Sequence, residues 1–454
     1  MEQILTEKQE SAVLSCAFAL LEKTGFKVMS DECLDALERF GCAVDRARYT
    51  VRLSESVIDR VLDKARVCNP GPEAFTATGT PVGGIQPLFL ERGGKPRSAR
   101  TEDLLTSLRI TDEIDGVTSI VPPLTNGESD SRIEPIETIA LLLKTCKRPV
   151  GALDAPQPGL SSYQIRMGEI YTGIPNSTHF LSGIYCITTP LIYGERVCKT
   201  MIERAPYSIM AVPTPMPISG ANTPISPHTA MAVGIAEIIA GWAIMLSLNP
   251  ENPLCGLICT GSLDMATGRA RFSSLEAIRQ DAGVVQTLGR GCGTAIWCAH
   301  CYTDAVEPGY AAVADKYAKS LMLNQYGAGI GFHQGTLDAG KIYSNEQLAI
   351  DIELNNLLQK YAGGFSDDAE MMLDTLLEAS DDPHHDWLSD PSTVENMRTI
   401  QQPLDLLRPE MAQDILARAA EKCDAALSKY TPPELPADKL LEIDKVVESA
   451  RLEL

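Results

Sequence analysis

From about residue 102 the chain settles into one rhythm, in which short apolar, β-branched runs are separated by stretches with helical spacing. The runs are "GVTSIVPP" (116–123), "RPVGALDAP" (148–156), "THFLSGIYCITTP" (178–190), "YSIMAVPTP" (207–215), "PLCGLICTG" (253–261), "GTAIWCAHCYTD" (293–304) and "YGAGIGFHQG" (326–335). Helical patterns fall near 102–114, 134–146, 158–172, 194–204, 226–247, 273–289, 308–324 and 345–360. Such alternation implies a parallel sheet, because a parallel neighbour needs a crossover long enough to hold a helix. Seven strands of this kind predict a (β/α)8 TIM barrel rather than an open doubly wound sheet. The eighth strand is the weak point, with only the short "YAGGF" (361–365) available to close the barrel.

In this reading the barrel spans 78–365, between an N-terminal helical extension (1–77) and a C-terminal helical region (366–454). Residues 1–66 read as helical throughout. "TEKQESAVLSCAFALLEKTG" has a Thr6 cap and a closing Gly25, "SDECLDALERFG" repeats the device with Ser30 and Gly41, and "LSESVIDRVLDKAR" supplies a third helix. "GTPVGGIQPLFLERGGKPR" predicts a β-hairpin that turns near Gly93-Gly94.

Charge removes whole classes of partner. Lys and Arg total 39 against 60 Asp and Glu, a formal net charge of -21, so nucleic acid and anionic membrane surfaces find no basic footprint. The 13 cysteines follow no regular framework, which suits reduced thiols in a cytoplasm better than disulfides. "MEQILTEKQE" lacks the basic and apolar regions of a signal peptide. The most apolar helix is interrupted by Glu237 and is read as too short to span a bilayer. A cytoplasmic protein is expected.

A TIM barrel carries its site at the strand carboxyl ends. Those ends hold Tyr185, Trp297, His300, Tyr302, Phe332 and His333, a set of aromatics and imidazoles with few charges. No Ser-His-Asp arrangement, carboxylate pair or phosphate cradle assembles from them, and "GAGIGF" lacks the third glycine of a dinucleotide fingerprint. Tyr185, Trp297, Tyr302 and Phe332 suit an aromatic box for a cation, although strand alternation turns Trp297 away from His300 and Phe332 away from His333. "CAHC" sets Cys298 and His300 on one strand face, the start of a zinc site, but the expectation is that no metal is bound.

One segment stands apart. "AVPTPMPISGANTPISPHTA" (211–230) has five prolines from Pro213 to Pro227, together with Ser219, Gly220, Asn222 and Thr223. It reads as a rigid loop at a barrel mouth, ended by Ser226 as helix cap and Pro227 in the first turn. Gly234 and Gly241 on the next helix permit close packing, within the barrel or across a dimer, and a homo-oligomer is expected.

"PISGANTPISPHTAMAVGIAEIIAG" (217–241), "GSLDMATGRARFSSLEA" (261–277), "LDAGKIYSNEQLAIDIEL" (337–354) and, more loosely, "HHDWLSDPSTVENM" (384–397) resemble the trimethylamine methyltransferase (MttB) family. The likeness covers about 100–410 in motif order. It implies a TIM barrel that moves a methyl group from an amine to the Co(I) of a cognate corrinoid protein, with no cofactor held tightly by the barrel itself. Members that use trimethylamine carry pyrrolysine. None occurs among these 454 residues, and members without it are associated with quaternary amines such as glycine betaine, proline betaine, carnitine and γ-butyrobetaine. A quaternary ammonium leaves as a neutral tertiary amine, so positioning suffices and no proton need be supplied. The expected substrate contacts are then Tyr302, His300, His333, Phe332, Tyr185, Trp297, Ser219 and Thr223, with Gly220, Asn222 and Asp264 facing the corrinoid. The competing readings are a barrel that binds betaine or corrinoid without catalysis, and a zinc-dependent methyltransferase built on Cys298 and His300.

Overall fold

The structure, a computed structural model, describes residues 3–68, 80–82, 84–152, 157–299, 302–328, 334–362, 373–374, 376–377, 379–380, 382, 384–400 and 405–454. The predicted alternation is present as two parallel arcs. In the first, β4 (Thr80–Val82) pairs with β7 (Val117–Ile120), and Ile120 bridges Val150. In the second, β8 (Ile184–Cys186) pairs with β10 (Val212–Thr214), Ala211 bridges Leu254, and β12 (Gly256–Ile258) pairs with β15 (Ile296–Cys298).

The intervening helices match the sequence reading closely. They are α4 (Thr101–Glu113), α5 (Glu134–Thr145), α6 (Ser161–Thr172), α7 (Glu195–Arg204), α8 (Pro227–Leu248), α9 (Leu275–Val284), α10 (Tyr310–Gln325) and α11 (Asn345–Ala362). Among the described residues no ladder joins Val150 to β8, and the sheets they form are small and open. Tyr361 and Ala362, where an eighth strand was expected, form the last turn of α11, and 363–365 lie outside the described residues.

Alternation assigns the two faces of the second arc. Ile184, Val212, Leu257 and Trp297 pack with Met210, Cys255 and Ala295 on one face, which is the inner layer of the arc. Tyr185, Ile258, Ile296 and Cys298 fall on the other face and join the core built by the surrounding helices. The inner layer is the more open of the two, because Ile184, Leu257 and Trp297 remain half-buried.

The N-terminal region departs from the all-helical reading. Helices α1 (Glu7–Ala19), α2 (Asp31–Arg39) and α3 (Glu55–Val67) are present, with Thr6 and Ser30 as caps. Between them lie β1 (Phe26–Val28), β2 (Ala43–Asp45) and β3 (Thr50–Arg52) in an antiparallel sheet. Strand β1 also pairs in parallel with β9 (Ile192–Tyr193), far along the chain. Three residues are too few to display a two-residue period, and strong helix caps on either side mask them.

Helix α8 is the spine of the molecule. At 22 residues it is longer than the sequence reading allowed and has the length and apolar composition of a membrane span, yet most of it is buried inside the protein, against α1, α2, α3, α9 and β10. Its glycines admit the Pro-rich segment. A Cβ on Gly234 would lie 2.8 Å from Ile258 Cδ1 and 3.3 Å from Pro217 Cγ, so these glycines serve packing within the chain. Ser226 occupies the cap position without a side-chain cap bond, and Pro227 opens the helix as expected.

The C-terminal helices cover the first arc. Helix α12 (Pro391–Ile400) precedes α13 (Ile415–Lys429), which lies on α4 and α11, and α14 (Ala437–Glu453), which lies on α5 and α6. Glu353 fixes the approach to them by accepting from the backbone N–H groups of Asp405, Leu406 and Leu407 at 2.9, 2.9 and 3.0 Å.

Candidate active site

Two small sheets stand beyond the carboxyl ends of the second arc. One combines β11 (Ile218–Ser219), β13 (Gly261–Asp264) and β14 (Arg269–Arg271). The other combines β16 (Thr336–Leu337), β17 (Ile342–Tyr343) and the predicted hairpin of β5 (Leu88–Leu90) and β6 (Pro96–Ser98). The Pro-rich segment runs out of β10 directly into β11, so its position at a mouth follows from chain connectivity.

Asn222 stitches this loop. Its Oδ1 accepts from Ile218 N at 2.6 Å, and its Nδ2 donates to Met216 O at 3.1 Å. Gly220 supplies the left-handed residue of the turn with φ of 86°. Ser219 donates to Gly261 O at 3.3 Å and accepts from Gln280 Nε2 at 3.1 Å, so its hydroxyl is engaged. The Thr223 hydroxyl is buried and has no hydrogen-bond partner among the described residues. An unmatched buried hydroxyl costs about 1–3 kcal/mol unless a ligand or water meets it.

Asp264 has a local task. It accepts from Ala266 N at 2.9 Å, Thr267 Oγ1 at 2.7 Å and Arg271 at 3.2 Å. The Thr267 hydroxyl leads these bonds in holding its carboxyl down to about 2. Asp304 accepts from Phe272 N at 2.9 Å and Ser273 N at 3.1 Å, and Asp338 takes the guanidinium of Arg269 at 2.6 Å. These three carboxylates of the mouth are therefore engaged in holding loops.

Tyr302 is half-buried in this setting. Its ring lies 5.6 Å from that of Phe272, and a Cβ on Gly340 would strike it at 2.3 Å. The turn over it is strained, since Asp338 and Ala339 both adopt positive φ, 44° and 53°. Backbone bonds from Asp338 N to Ala305 O and from Ala339 N to Thr303 O, both 2.8 Å, hold that turn in place.

The remaining sequence candidates divide. Trp297 packs with Val212, Cys255 and Ala295 on the inner layer, although the alternation argument had turned it away from His300. Tyr185 lies on the helix-facing side, 2% exposed, its phenol pushed up to about 12 by burial. Alternation along β8 is the reason, because its neighbour Ile184 takes the inner face. Cys298 also points to the helices, where burial raises its thiol. Among the described residues no group of three His, Cys, Asp or Glu side chains could hold a metal. His300, Phe332, His333 and Asp154 lie outside the described residues.

Beside the mouth, sequence reasoning missed two fully buried ion pairs on α10, Lys316 with Asp351 and Lys319 with Asp281. Asp351 also accepts from Gly335 N at 2.8 Å, and Lys319 donates to Phe272 O at 2.8 Å. Their only sequence signal is a pair of lysines three apart on an otherwise apolar helix face. Among the described residues the mouth offers aromatic rings, the unmatched Thr223 hydroxyl and three engaged carboxylates, which suits binding and orientation better than proton transfer.

The sequence matches the trimethylamine methyltransferase (MTTB) family over residues 1–453. The chain belongs to that family. It is thus a methyltransferase, and its family likeness extends well beyond the motifs of 100–410. The trimethylamine methyltransferase MttB of Desulfitobacterium hafniense (strain DSM 10664 / DCB-2) is 21% identical, over 98% of this chain and 93% of that one. The glycine betaine methyltransferase of Desulfitobacterium hafniense (strain Y51) is 22% identical, over 95% and 94%. Among solved structures, the hydroxylamine MtmB complex superposes with a TM-score of 0.50 at 12% identity, over 94% of each chain. At that identity the MttB-family chain shares a fold with it, one of mixed helices and strands.

Proposed function

We propose that this MttB-family enzyme transfers a methyl group from a quaternary amine to the Co(I) of a corrinoid protein. The observation that carries the choice of substrate is the composition of the chain, a family member whose 454 residues include no pyrrolysine. A distant likeness to a glycine betaine methyltransferase, 22% identical, is in keeping with the same choice.

In this reading the two parallel arcs belong to one (β/α)8 barrel, spanning 78–365, with 1–77 and 366–454 as extensions. Trp297 on the inner layer and Tyr302 at the mouth present aromatic faces to the trimethylammonium group, which attracts them electrostatically without donating a hydrogen bond. Thr223 Oγ1 supplies a donor for the betaine carboxylate, with His300 and His333 completing the clamp. The Pro-rich loop fixes Thr223 in advance of binding, so little ordering of that donor remains when the amine enters. The departing amine is neutral and takes no proton, which agrees with a mouth in which Asp264, Asp304 and Asp338 are engaged in holding loops.

The corrinoid protein acts as second substrate and supplies the methyl acceptor. Its docking surface is the rim formed by Gly220, Asn222 and the β13–β14 turn. The acidity of the chain favours a partner with a basic face and a cytoplasmic setting.

The test is optical. Under anaerobic, reducing conditions the protein is mixed with cob(I)alamin or a corrinoid protein, quaternary amines are added singly, and methylcobalamin formation is followed. Turnover with one betaine and none with trimethylamine is expected. Turnover with trimethylamine alone would overturn the substrate assignment, and silence throughout would overturn the reaction.

A further inference from the structure

We propose that Cys33 and Cys198 are a latent dithiol, a redox modification site at which a disulfide can join α2 to α7. The placement follows from the parallel pairing of β1 and β9. Val28 is opposite Tyr193 in that ladder, and each strand passes at once into a helix. Cys33 lies five residues beyond Val28, and Cys198 five residues beyond Tyr193. Equal offsets from one register point bring the two first turns side by side. Both thiols are 0% exposed in the same core, and they share a hydrogen bond.

The surroundings favour thiolate character at Cys33, and both thiols meet an oxidant only through local opening of α2 or α7. Its N–H donates to the Ser30 cap at 3.3 Å, and its sulfur sits in the first turn, where the helix dipole favours a thiolate. The hydrogen bond from Cys198 lowers the Cys33 thiol against the opposing effect of burial. Burial instead pushes up the thiols of Cys42, Cys146, Cys255 and Cys423. Tyr193 O, 3.5 Å from Cys198 Sγ, is a second acceptor for the one S–H that Cys198 offers Cys33, and it holds the sulfur at the start of α7.

The oxidant is a hydroperoxide. The Cys33 sulfur attacks the peroxide oxygen and the O–O bond breaks, giving a sulfenic acid and one water. The Cys198 sulfur then attacks Cys33 sulfur, the S–O bond breaks, and the oxygen leaves with a proton as a second water. Two thiols and one hydrogen peroxide thus give one disulfide and two waters. The link ties the N-terminal region to the crossover after β9, and it should raise the melting temperature by a few degrees.

The experiment is a hydrogen peroxide titration of the full chain, followed by denaturing alkylation and peptide mapping. A Cys33–Cys198 peptide pair lighter by two hydrogens is expected, absent in Cys198→Ser. Circular dichroism establishes that this variant is folded. A parallel melt without reductant should show the rise in wild type and not in the variant. Recovery of both thiols alkylated after the exposed Cys16 and Cys186 have been consumed would overturn the proposal. So would crosslinks that pair either residue mainly with other cysteines.

Discussion

Gly241 lies so close to Pro213 that a Cβ on it would stand 2.4 Å from Pro213 Cγ, and 2.5 Å from the Tyr193 hydroxyl. Helix α8 touches β10 here, and a proline ring cannot swing aside. Gly241→Ala should lose about 1–3 kcal/mol through overpacking, more than the roughly 1 kcal/mol that alanine adds to helix propensity. Urea denaturation measures the net loss. Gly194→Ala, with nothing within 4 Å of its Cβ but at the N-cap of α7, lacks the clash and should lose less than Gly241→Ala.

Glu237 gives a prediction in pH. It is fully buried in α8 and accepts from Leu191 N at 2.6 Å and Thr189 Oγ1 at 2.9 Å. Burial outweighs those bonds and pushes its carboxyl up to about 7, from an ordinary value of 4.5. The folded chain therefore holds a proton that the unfolded chain has released. The stability this contributes is complete below pH 4.5 and is lost as pH rises towards 7, by on the order of 3 kcal/mol. Glu237→Gln should be flatter than wild type across that window in unfolding curves taken at each pH. Parallel slopes would show that Glu237 is ionised in the folded chain at pH 5.

The buried pair of Lys316 and Asp351 predicts non-additivity. Lys316→Met strands a carboxylate that also serves Gly335 N, at a cost of about 3–5 kcal/mol. Lys316→Met with Asp351→Leu removes both charges and should recover most of that loss. Denaturant midpoints of the single and double variants decide this, and additive losses would mean that the pair is not coupled.

Thr223→Val separates stability from binding. The hydroxyl has no partner among the described residues, so the isosteric variant should be as stable as wild type or up to about 1 kcal/mol more so. If Thr223 binds the betaine carboxylate, KM should rise while the melting temperature does not fall. Steady-state kinetics and a thermal melt on one preparation provide both readings, and an unchanged KM removes Thr223 from the site.

The proposed cation contact of Tyr302 is made by its ring, and a ring contact predicts different fates for two variants. A desolvated cation–π contact is worth about 2 kcal/mol, so Tyr302→Ala should lower kcat/KM roughly 30-fold while Tyr302→Phe stays near wild type. Equal losses in both variants would assign the role to the hydroxyl instead.

The long helices were legible in the sequence because caps and period coincide. The spacing placed a helix at 134–146, and α5 runs Glu134–Thr145. The strands were legible as runs but not in phase. "THFLSGIYCITTP" contains only three strand residues, and their phase decides that Ile184 rather than Tyr185 faces inward. Phase depends on register with the next strand, which a single sequence does not contain. The same limit hid the N-terminal sheet, whose strands find partners through tertiary contact rather than through pattern. At the mouth the Pro-rich loop and Tyr302 were readable from residue type. The ion pairs of α10 were not, since Asp281 and Asp351 sit on other helices and meet the lysines only after packing.

Helix α8 also bears on how the chain is made. A ribosome releases α1, α2 and α3 before α8, and β10 just ahead of it, so most of what will cover this apolar rod is already outside when it emerges. Among the described elements α9 and β12 arrive afterwards. Synthesis in that order shortens the interval in which a segment resembling a membrane span lies open to chaperones, targeting factors and other nascent chains. A circular permutant that begins at α8 would reverse the order, and for such a chain the passage through the cell, rather than the final fold, becomes the hazard.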